Sequence, residues 1–292
     1  MGKLPDLFSL TDRAAIVTGG AGLLGAEFCQ TLMEAGADIV VADIDGDAAN
    51  HLAESLNGSF HSGDSPPRAV PLQVDISSKS SVQGLFQRTL DQFNKLDILV
   101  NAAALDPKFD PHSLADENFD HGLEESDHPL AINFEDYPLE QWKQALDVNL
   151  TGVFLCCQSA GSLMASQGGG VMINISSIYG LVGPDQRIYQ TDGDPELFKP
   201  AYYSTTKAGV LGLTRYLAAY YAGKNIRVNA LTPGGVFNDH DQDFVEAYSS
   251  RTVMGRMAEK NEMNGAILFL ASDASAYMTG SNLVVDGGWT AW

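Results

Sequence analysis

The chain has 292 residues, 45% of them hydrophobic, and a formal net charge of −20, so it contains enough apolar material for a substantial core. The negative charge repels phosphate backbones and anionic lipid, which argues against nucleic acid or a membrane surface as a partner. No apolar run reaches the roughly eighteen residues of a membrane span, and none follows Lys3 to form a signal peptide. We therefore expect a cytoplasmic protein.

Apolar strands alternate with helical segments in chain order. Strands are predicted at residues 14–17, 39–42, 70–74, 96–100, 171–175, 226–231 and 282–285. Helices are predicted at 25–35, from the end of the second strand to 56, and at 82–93, 139–165, 203–222 and 262–271, with loops at 57–68 and 183–200. Uninterrupted apolar strands separated by helices predict an α/β fold with a doubly wound parallel sheet (Rossmann-type), in a single domain over residues 1–292.

Two insertions interrupt this pattern, at about 106–133 and 184–200. Half of the net negative charge lies between residues 106 and 140, which favours a solvated insertion over a binding surface. The three cysteines, Cys29, Cys156 and Cys157, are too few for a disulfide framework and fit small core residues in a reducing compartment. The six histidines lack ligand spacing, so no metal site is predicted.

A glycine-rich turn follows the first strand and opens the first helix. Gly19, Gly22 and Gly25 remove the side chains that would block the turn, a pyrophosphate and the contact between helix and strand. The helix N-terminus would then offer free N–H groups to the anion. Glycines are common in turns, so it is the strand before and the helix after that indicate a dinucleotide site.

Asp43 closes the second strand. A carboxylate at this position accepts hydrogen bonds from both ribose hydroxyls and repels a 2′-phosphate, and no Lys or Arg lies between Thr18 and Asp43 to bind one. The cofactor predicted is therefore NAD rather than NADP. Asp43 could alternatively serve as a helix N-cap.

Several further motifs occur in order on the expected elements. They are Asp75, Asn101-Ala102-Ala103, Asn149, Ser177, Tyr203-Ser-Thr-Thr-Lys207, Pro233-Gly234 and Asp286-Gly287-Gly288. With the glycine turn, they make the chain similar to the single-domain short-chain dehydrogenases/reductases from about Leu10 to Trp292. It also resembles a bacterial subgroup linked to the biosynthesis of nine-carbon, sialic-acid-like sugars.

The resemblance implies the catalytic roles. Tyr203 would be the general acid/base, and Ser177 rather than Ser176 would bind the substrate oxygen. Lys207 lies one helical turn beyond Tyr203, so its charge would favour the phenolate, lower the pKa of Tyr203 and bind the nicotinamide ribose. Asn149 would position Lys207 through a water. Tyr202 is the neighbouring candidate, but Thr206 stands four residues beyond it.

The resemblance also implies the cofactor contacts. Asp75 and Ile76 would bind adenine, the stretch from Asn101 through Ala103 would line its ribose, and the backbone of Val236 would bind the carboxamide. The full predicted cofactor set is Gly19, Gly22, Leu24, Gly25, Asp43, Ile44, Asp75, Ile76, Asn101, Ala102, Ala103, Tyr203, Lys207, Pro233, Gly234 and Val236.

Some residues depart from the family pattern. Leu23 stands where single-domain members usually have Gly, Ala104 replaces a usual Gly, and Asn238 replaces a Thr that often contacts the pyrophosphate. Ser177 and Tyr203 are 26 positions apart, about twice the usual separation, so the extra loop must fold away from the site.

The second insertion suggests the substrate. Its hydrogen-bonding residues suit a sugar, amino sugar or sugar phosphate, with Ser177, Tyr203 and Arg187 as substrate contacts, although Arg187 could equally be a surface charge. The predicted reaction is NAD-dependent hydride transfer to or from a secondary alcohol or ketone. A 3-oxoacyl reductase, disfavoured by Asp43, and a non-catalytic NAD-binding regulator are the alternatives.

The resemblance further implies a homotetramer or homodimer, formed through the helices at 139–165 and 203–222 together with C-terminal contacts. Trp289 and Trp292 are candidates for burial in such an interface.

Overall fold

A computed structural model describes residues 4–60, 67–106, 130, 132–190 and 197–292. Its strands are β1 (Ala14–Thr18), β2 (Asp38–Asp43), β3 (Ala69–Gln73), β4 (Ile98–Asn101), β5 (Gly170–Ile175), β6 (Ile226–Pro233) and β7 (Asn282–Val285). All seven form one parallel sheet in the order β3-β2-β1-β4-β5-β6-β7. The predicted doubly wound α/β fold is confirmed, and the sheet order reverses direction between β1 and β4, where such sheets bind ligands.

Helices connect the strands. They are α1 (Leu23–Glu34), α2 (Gly46–Ser59), α3 (Lys79–Phe93), α4 (Leu139–Leu146), α5 (Val153–Gln167), α6 (Ala201–Tyr220), α7 (Gln242–Ser249) and α8 (Asn264–Ala271). The side chains of Asp45 and Ser78 accept hydrogen bonds from first-turn amides of α2 and α3, which fixes where these helices begin.

Alternate strand residues face opposite layers of the core. On β1, Ala15 and Val17 contribute to the layer that contains buried residues of α1, α2 and α8. Ala14 and Ile16 contribute to the layer that contains residues of α3, α5 and α6. Because helices cover both faces of the sheet, the strands are apolar throughout. These continuous apolar runs are what predicted the parallel sheet from the sequence. The three cysteines are buried in these layers, as predicted.

The structure corrects several predicted boundaries. Helix α2 extends to Ser59, into the predicted loop, and α6 begins at Ala201, two residues before Tyr203. The predicted loop at 183–200 contains a 3-10 helix, Gln186–Tyr189. Helix α7 was not predicted, because only Phe244 and Tyr248 of its eight residues are buried.

The predicted long helix from residue 139 contains a π-helical turn, Asp147–Gly152, between α4 and α5. The continuous helix Leu139–Gln167 is long and apolar enough to cross a membrane by length and composition alone. Its buried residues Cys156, Ala160 and Met164 lie in the core layer below the sheet, which accounts for its apolar character as that of a core helix.

Candidate active site

A cavity of about 560 Å³ runs along the carboxyl ends of the strands, from the glycine turn to the start of α6. Gly19, Gly22 and Asp43 line one end, and Ser177, Tyr203 and Lys207 line the other. One space therefore connects the predicted cofactor turn with the predicted catalytic residues.

The glycine turn has the shape that a pyrophosphate requires. Gly19 has φ +63°, and a Cβ on Gly25 would lie 1.9 Å from the carbonyl oxygen of Gly19, so both positions exclude side chains. A Cβ on Gly22 would meet only that same oxygen, at 3.3 Å. Gly22 precedes α1 and supplies no side-chain cap, which leaves the first-turn amides of α1 available to an anion. This cradle fits a dinucleotide.

Asp43 is held at the mouth of this turn. One of its carboxylate oxygens accepts a hydrogen bond from the amide of Ala21 at 2.9 Å, and the other accepts from the amide of Asp45 at 3.1 Å. The N-cap of α2 is Asp45, so the N-cap alternative for Asp43 is wrong. Among the described residues that line the cavity, the lysines are Lys199 and Lys207, both at the Tyr203 end.

Other members of the predicted cofactor set also line the cavity. They are Leu24, Ile44, Asp75, Ile76, Ala102, Ala103, Pro233, Gly234 and Val236. Val236 forms a bridge with Ala258, but the hydrogen bonds there use the N–H of Phe237 and the carbonyl of Gly235. The bridge therefore takes no hydrogen bond from Val236 itself, consistent with the predicted carboxamide contact.

Asn101 differs from the prediction, because it is not among the lining residues. It is buried, and its side-chain amide donates to the Oδ1 of Asn174 on β5 at 2.8 Å. Asn174 in turn donates to the hydroxyl of Thr214 on α6 at 2.9 Å. Asn101 thus begins a buried polar chain that links β4 to β5 and α6, and Ala102 and Ala103 alone bring this motif to the cavity.

The proposed acid/base and its companions converge at the other end. Tyr203 is buried, and its hydroxyl lies beside Ser177. The ammonium of Lys207 lies 5.7 Å from the Tyr203 ring centroid and donates to the carbonyl of Ile175 at 3.0 Å. Ser176 instead donates to the carbonyl of Lys207 at 2.9 Å, so it fastens β5 to α6, whereas Ser177 faces the phenol. Tyr202 packs against Tyr137 and is not a lining residue.

The pKa of Tyr203 differs from the prediction. Burial and the neighbouring Asp106 carboxylate raise the pKa of Tyr203 well above its ordinary value, although Ser177 opposes this shift. The ammonium of Lys207 is itself penalised by burial, which lowers its pKa to about 8. The expected depression of the Tyr203 pKa is therefore absent from this arrangement of described residues.

Asn149 lies in the π-helical turn and is buried. Its side chain accepts from the amide of Leu105 at 2.6 Å and donates to the carbonyl of Leu105 at 2.9 Å. Asn149 therefore fixes the segment that follows β4. A π turn widens the helix locally, and such turns are frequent at functional sites. The link through water to Lys207 stays a prediction.

The second insertion reaches the site with residues other than the one predicted. The Arg187 side chain is 82% exposed, pairs with Asp185 and does not line the cavity. Asp185 caps the 3-10 helix and holds the Arg187 guanidinium outside. Tyr189 and Lys199 of the same insertion do line the cavity.

Sequence reasoning also missed Asp106 and the α7 residues Phe244 and Tyr248, which line the substrate end. Tyr248 stacks on Trp289 with ring centroids 4.4 Å apart. Trp289 is therefore buried within its own chain, while Trp292 remains 79% exposed. Lys199 was also missed, and its signal in the sequence was its position four residues before Tyr203, just ahead of α6.

Most of the first insertion, residues 107–129 and 131, lies outside the described residues, and so do His61, His112, His121 and His128. Within the described ranges, no group of three or more His, Cys, Asp or Glu side chains is arranged to hold a metal ion.

Comparison with known proteins identifies the family. A family model described as "Enoyl-(Acyl carrier protein) reductase" matches residues 21–290. The cis-4-hydroxycyclohexanecarboxylate dehydrogenase of Sinomonas cyclohexanicum is 33% identical over 97% of this chain and 98% of its own. The D-threitol dehydrogenase of Mycolicibacterium smegmatis is 30% identical over 97% and 95%. The chain belongs to the short-chain dehydrogenase/reductase family, whose members here are oxidoreductases that act on CH–OH groups.

Solved structures agree on the fold. A gluconate 5-dehydrogenase from Burkholderia cenocepacia, in complex with NADP and tartrate, has a TM-score of 0.80, 26% identity and coverage of 99% of this chain and 100% of its own. A short-chain dehydrogenase from Leptospira borgpetersenii with bound NAD+ has a TM-score of 0.78, 29% identity and coverage of 99% and 96%. Similar proteins thus bind either nicotinamide cofactor.

Proposed function

We propose that the protein is an NAD-dependent dehydrogenase or reductase that acts on a secondary alcohol or ketone of a sugar or related polyhydroxylated compound. The observation that carries the proposal is the continuous cavity from the glycine turn to Tyr203, with Ser177 beside the Tyr203 hydroxyl and the Lys207 ammonium 5.7 Å from the centre of its ring.

Each residue has a distinct part in the reaction. Bound NAD supplies the acceptor or donor of the hydride. In the direction of oxidation, the Tyr203 phenolate takes the proton of the substrate hydroxyl while the carbinol hydrogen leaves with its electron pair, and in reduction the phenol returns the proton to the carbonyl oxygen. Ser177 donates a hydrogen bond to the same oxygen. The charge of Lys207 favours the phenolate and so opposes burial and Asp106, which raise the pKa of Tyr203. Asn149 positions Leu105 and its neighbours at the rim of the site.

The cofactor is NAD. Asp43 at the adenosine end of the cavity and the location of both lining lysines at the opposite end support NAD over NADP. One structural neighbour holds NADP and another NAD+, so kcat/KM with NAD+ and with NADP+ is the direct measurement. We expect NAD+ to be preferred at least tenfold.

The test of the reaction replaces the proposed acid/base. Tyr203→Phe should lower kcat at least a hundredfold, the scale of general acid–base catalysis, while the Kd for NAD+ stays within about threefold. Tyr202→Phe, the adjacent tyrosine outside the cavity lining, is the matched control and should keep its activity. Substrates should include polyols, sugar acids, nine-carbon sugars and 3-oxoacyl thioesters. Undiminished turnover by Tyr203→Phe would contradict the assignment, and turnover of the thioesters alone would favour the acyl alternative.

We propose further that the enzyme works in the cytoplasm as a homotetramer or homodimer. Phe154, Tyr216 and Tyr220, which are exposed on α5 and α6, support assembly through these helices.

A further inference from the structure

Lys199 and Asp106 form an ion pair inside the candidate active site. The Lys199 ammonium contacts the Asp106 carboxylate and lies 4.3 Å from the centroid of the Tyr203 ring. The Lys199 side chain is 9% exposed, whereas that of Asp106 is 43% exposed. A lysine this buried needs an anionic partner, and here the partner is the more accessible of the two.

The second insertion holds Lys199 in this position. Gln186, in the 3-10 helix of the insertion, accepts from the amide of Lys199 at 2.8 Å and donates to its carbonyl at 3.0 Å. Pro200 follows as the N-cap of α6. The lysine is therefore fixed at its backbone on both sides and is directed to the substrate end of the cavity rather than to solvent.

The Asp106 carboxylate has two neighbours in the site. It contacts the Lys199 ammonium, and its charge acts on the Tyr203 hydroxyl, whose pKa it raises. In the proposed reaction, the oxygen that reacts must lie at that hydroxyl, so the substrate has to displace Asp106 from it. Displacement leaves the buried ammonium of Lys199 in need of another anion.

We infer that the enzyme acts on hydroxy acids, and that Lys199 binds the carboxylate of the substrate in the place that Asp106 takes here. A hydroxy acid would take the place of Asp106 beside both groups, with its carbinol oxygen at Tyr203 and its carboxylate at Lys199. This inference rests on the proposed function, which locates the reacting oxygen at Tyr203 and Ser177. Two relatives fit it, one named for a hydroxycyclohexanecarboxylate and one for gluconate.

Ligand binding tests the inference without requiring turnover. Tartrate, gluconate and 4-hydroxycyclohexanecarboxylate are titrated calorimetrically into the NADH-loaded protein. They are compared with threitol, glucitol and 4-(hydroxymethyl)cyclohexanol, in which each carboxylate is replaced by CH₂OH. At least one acid should bind ten times more tightly than its neutral counterpart, the scale of a hydrogen bond to a charged group.

Four variants assign the effect. Lys199→Met should remove that preference by weakening the acid and not the neutral compound, while Lys199→Arg should retain it. Asp106→Asn removes the competing carboxylate and should tighten the acid. Arg187→Met removes a cation from the exposed part of the same insertion and should change neither. Unchanged NADH affinity and melting temperature establish that Lys199→Met is folded.

The inference is overturned if no acid binds more tightly than its neutral counterpart, or if Lys199→Met weakens both equally. It is also overturned if threitol binds best and Asp106→Asn abolishes that binding, because Asp106 would then recognise a neutral diol. Failure of the proposed reaction is seen separately, in the turnover of Tyr203→Phe, so the two results remain distinguishable.

Discussion

Single residues at the Tyr203 end of the cavity act on one another through charge. Burial lowers the pKa of Lys207 to about 8, with Asp106 opposing and Lys199 reinforcing the shift. The ammonium is therefore present below about pH 8 and lost above it. If Lys207 binds the nicotinamide ribose, affinity for NAD+ should decline as pH rises through that value.

The two neighbours should move this decline in opposite directions. Without the repulsion of Lys199, Lys199→Met should shift it to higher pH, and without the attraction of Asp106, Asp106→Asn should shift it to lower pH. The measurement is the Kd for NAD+ from pH 6 to 10, with Arg187→Met as the control. Shifts of the same sign in both variants would contradict this account.

The family resemblance predicted Tyr203 and Lys207, and helical spacing explains why the two share a face, because residues four apart lie on the same side of a helix. The resemblance also separated Ser177 from Ser176, by position relative to Gly180. Arg187 could not be placed this way, since its direction is set by the Asp185 cap. Lys199 and Asp106 meet across 93 positions of sequence, and only the folded chain brings them together.

At the level of elements, two glycines in the turn from β1 to α1 serve different purposes. Gly25 allows close backbone packing, and Gly22 leaves space for the pyrophosphate. Gly25→Ala places a methyl group against the Gly19 backbone, which cannot yield as a side chain can. We expect a loss of about 1–3 kcal/mol in the free energy of unfolding, the usual cost of overpacking.

Gly22→Ala is the matched variant for this turn. Its methyl group would lie 3.3 Å from the Gly19 carbonyl oxygen, a tight contact that a small shift relieves, and would enter the space expected for the pyrophosphate. NAD+ affinity should therefore fall at least tenfold with little change in stability. Chemical denaturation and NAD+ titration of both variants measure the two effects, and equal loss of stability in both would refute the distinction.

Periodicity was sufficient for the sheet and its covering helices because each buries a regular apolar face. It did not reveal the π turn, because Asp147–Gly152 carries no sequence signal distinct from the helix around it. It also missed α7, whose two buried aromatic residues belong to the substrate end of the cavity rather than to the sheet layers.

For the whole molecule, the exposed faces of α5 and α6 are the proposed contact surface between copies of the chain. Tyr216 and Tyr220 are 64% and 66% exposed and stack with ring centroids 6.0 Å apart. A second copy of the chain could cover this exposed aromatic pair. Because the protein already carries a net charge of −20, a further carboxylate buried without a partner in that interface would oppose association. Tyr220→Glu should therefore weaken association at least tenfold.

Sedimentation over a range of protein concentrations measures this effect. Ser55→Glu adds the same charge to the exposed side of α2, away from these helices, and should leave assembly unchanged. A wild-type chain that stays monomeric, or a Tyr220→Glu variant of unchanged size, would rule out this interface.

The buried chain from Asn101 through Asn174 to Thr214 has a consequence for redesign. If α6 shifted along its axis by one residue, the buried Asn174 amide would lose its hydrogen bond to Thr214. The loss would cost about 1–3 kcal/mol of stability. The position of α6 along the sheet is therefore fixed by buried amides on β4 and β5 that do not line the cavity. The loops at the carboxyl ends of the strands can therefore be exchanged to bind other substrates without moving the Tyr203 hydroxyl.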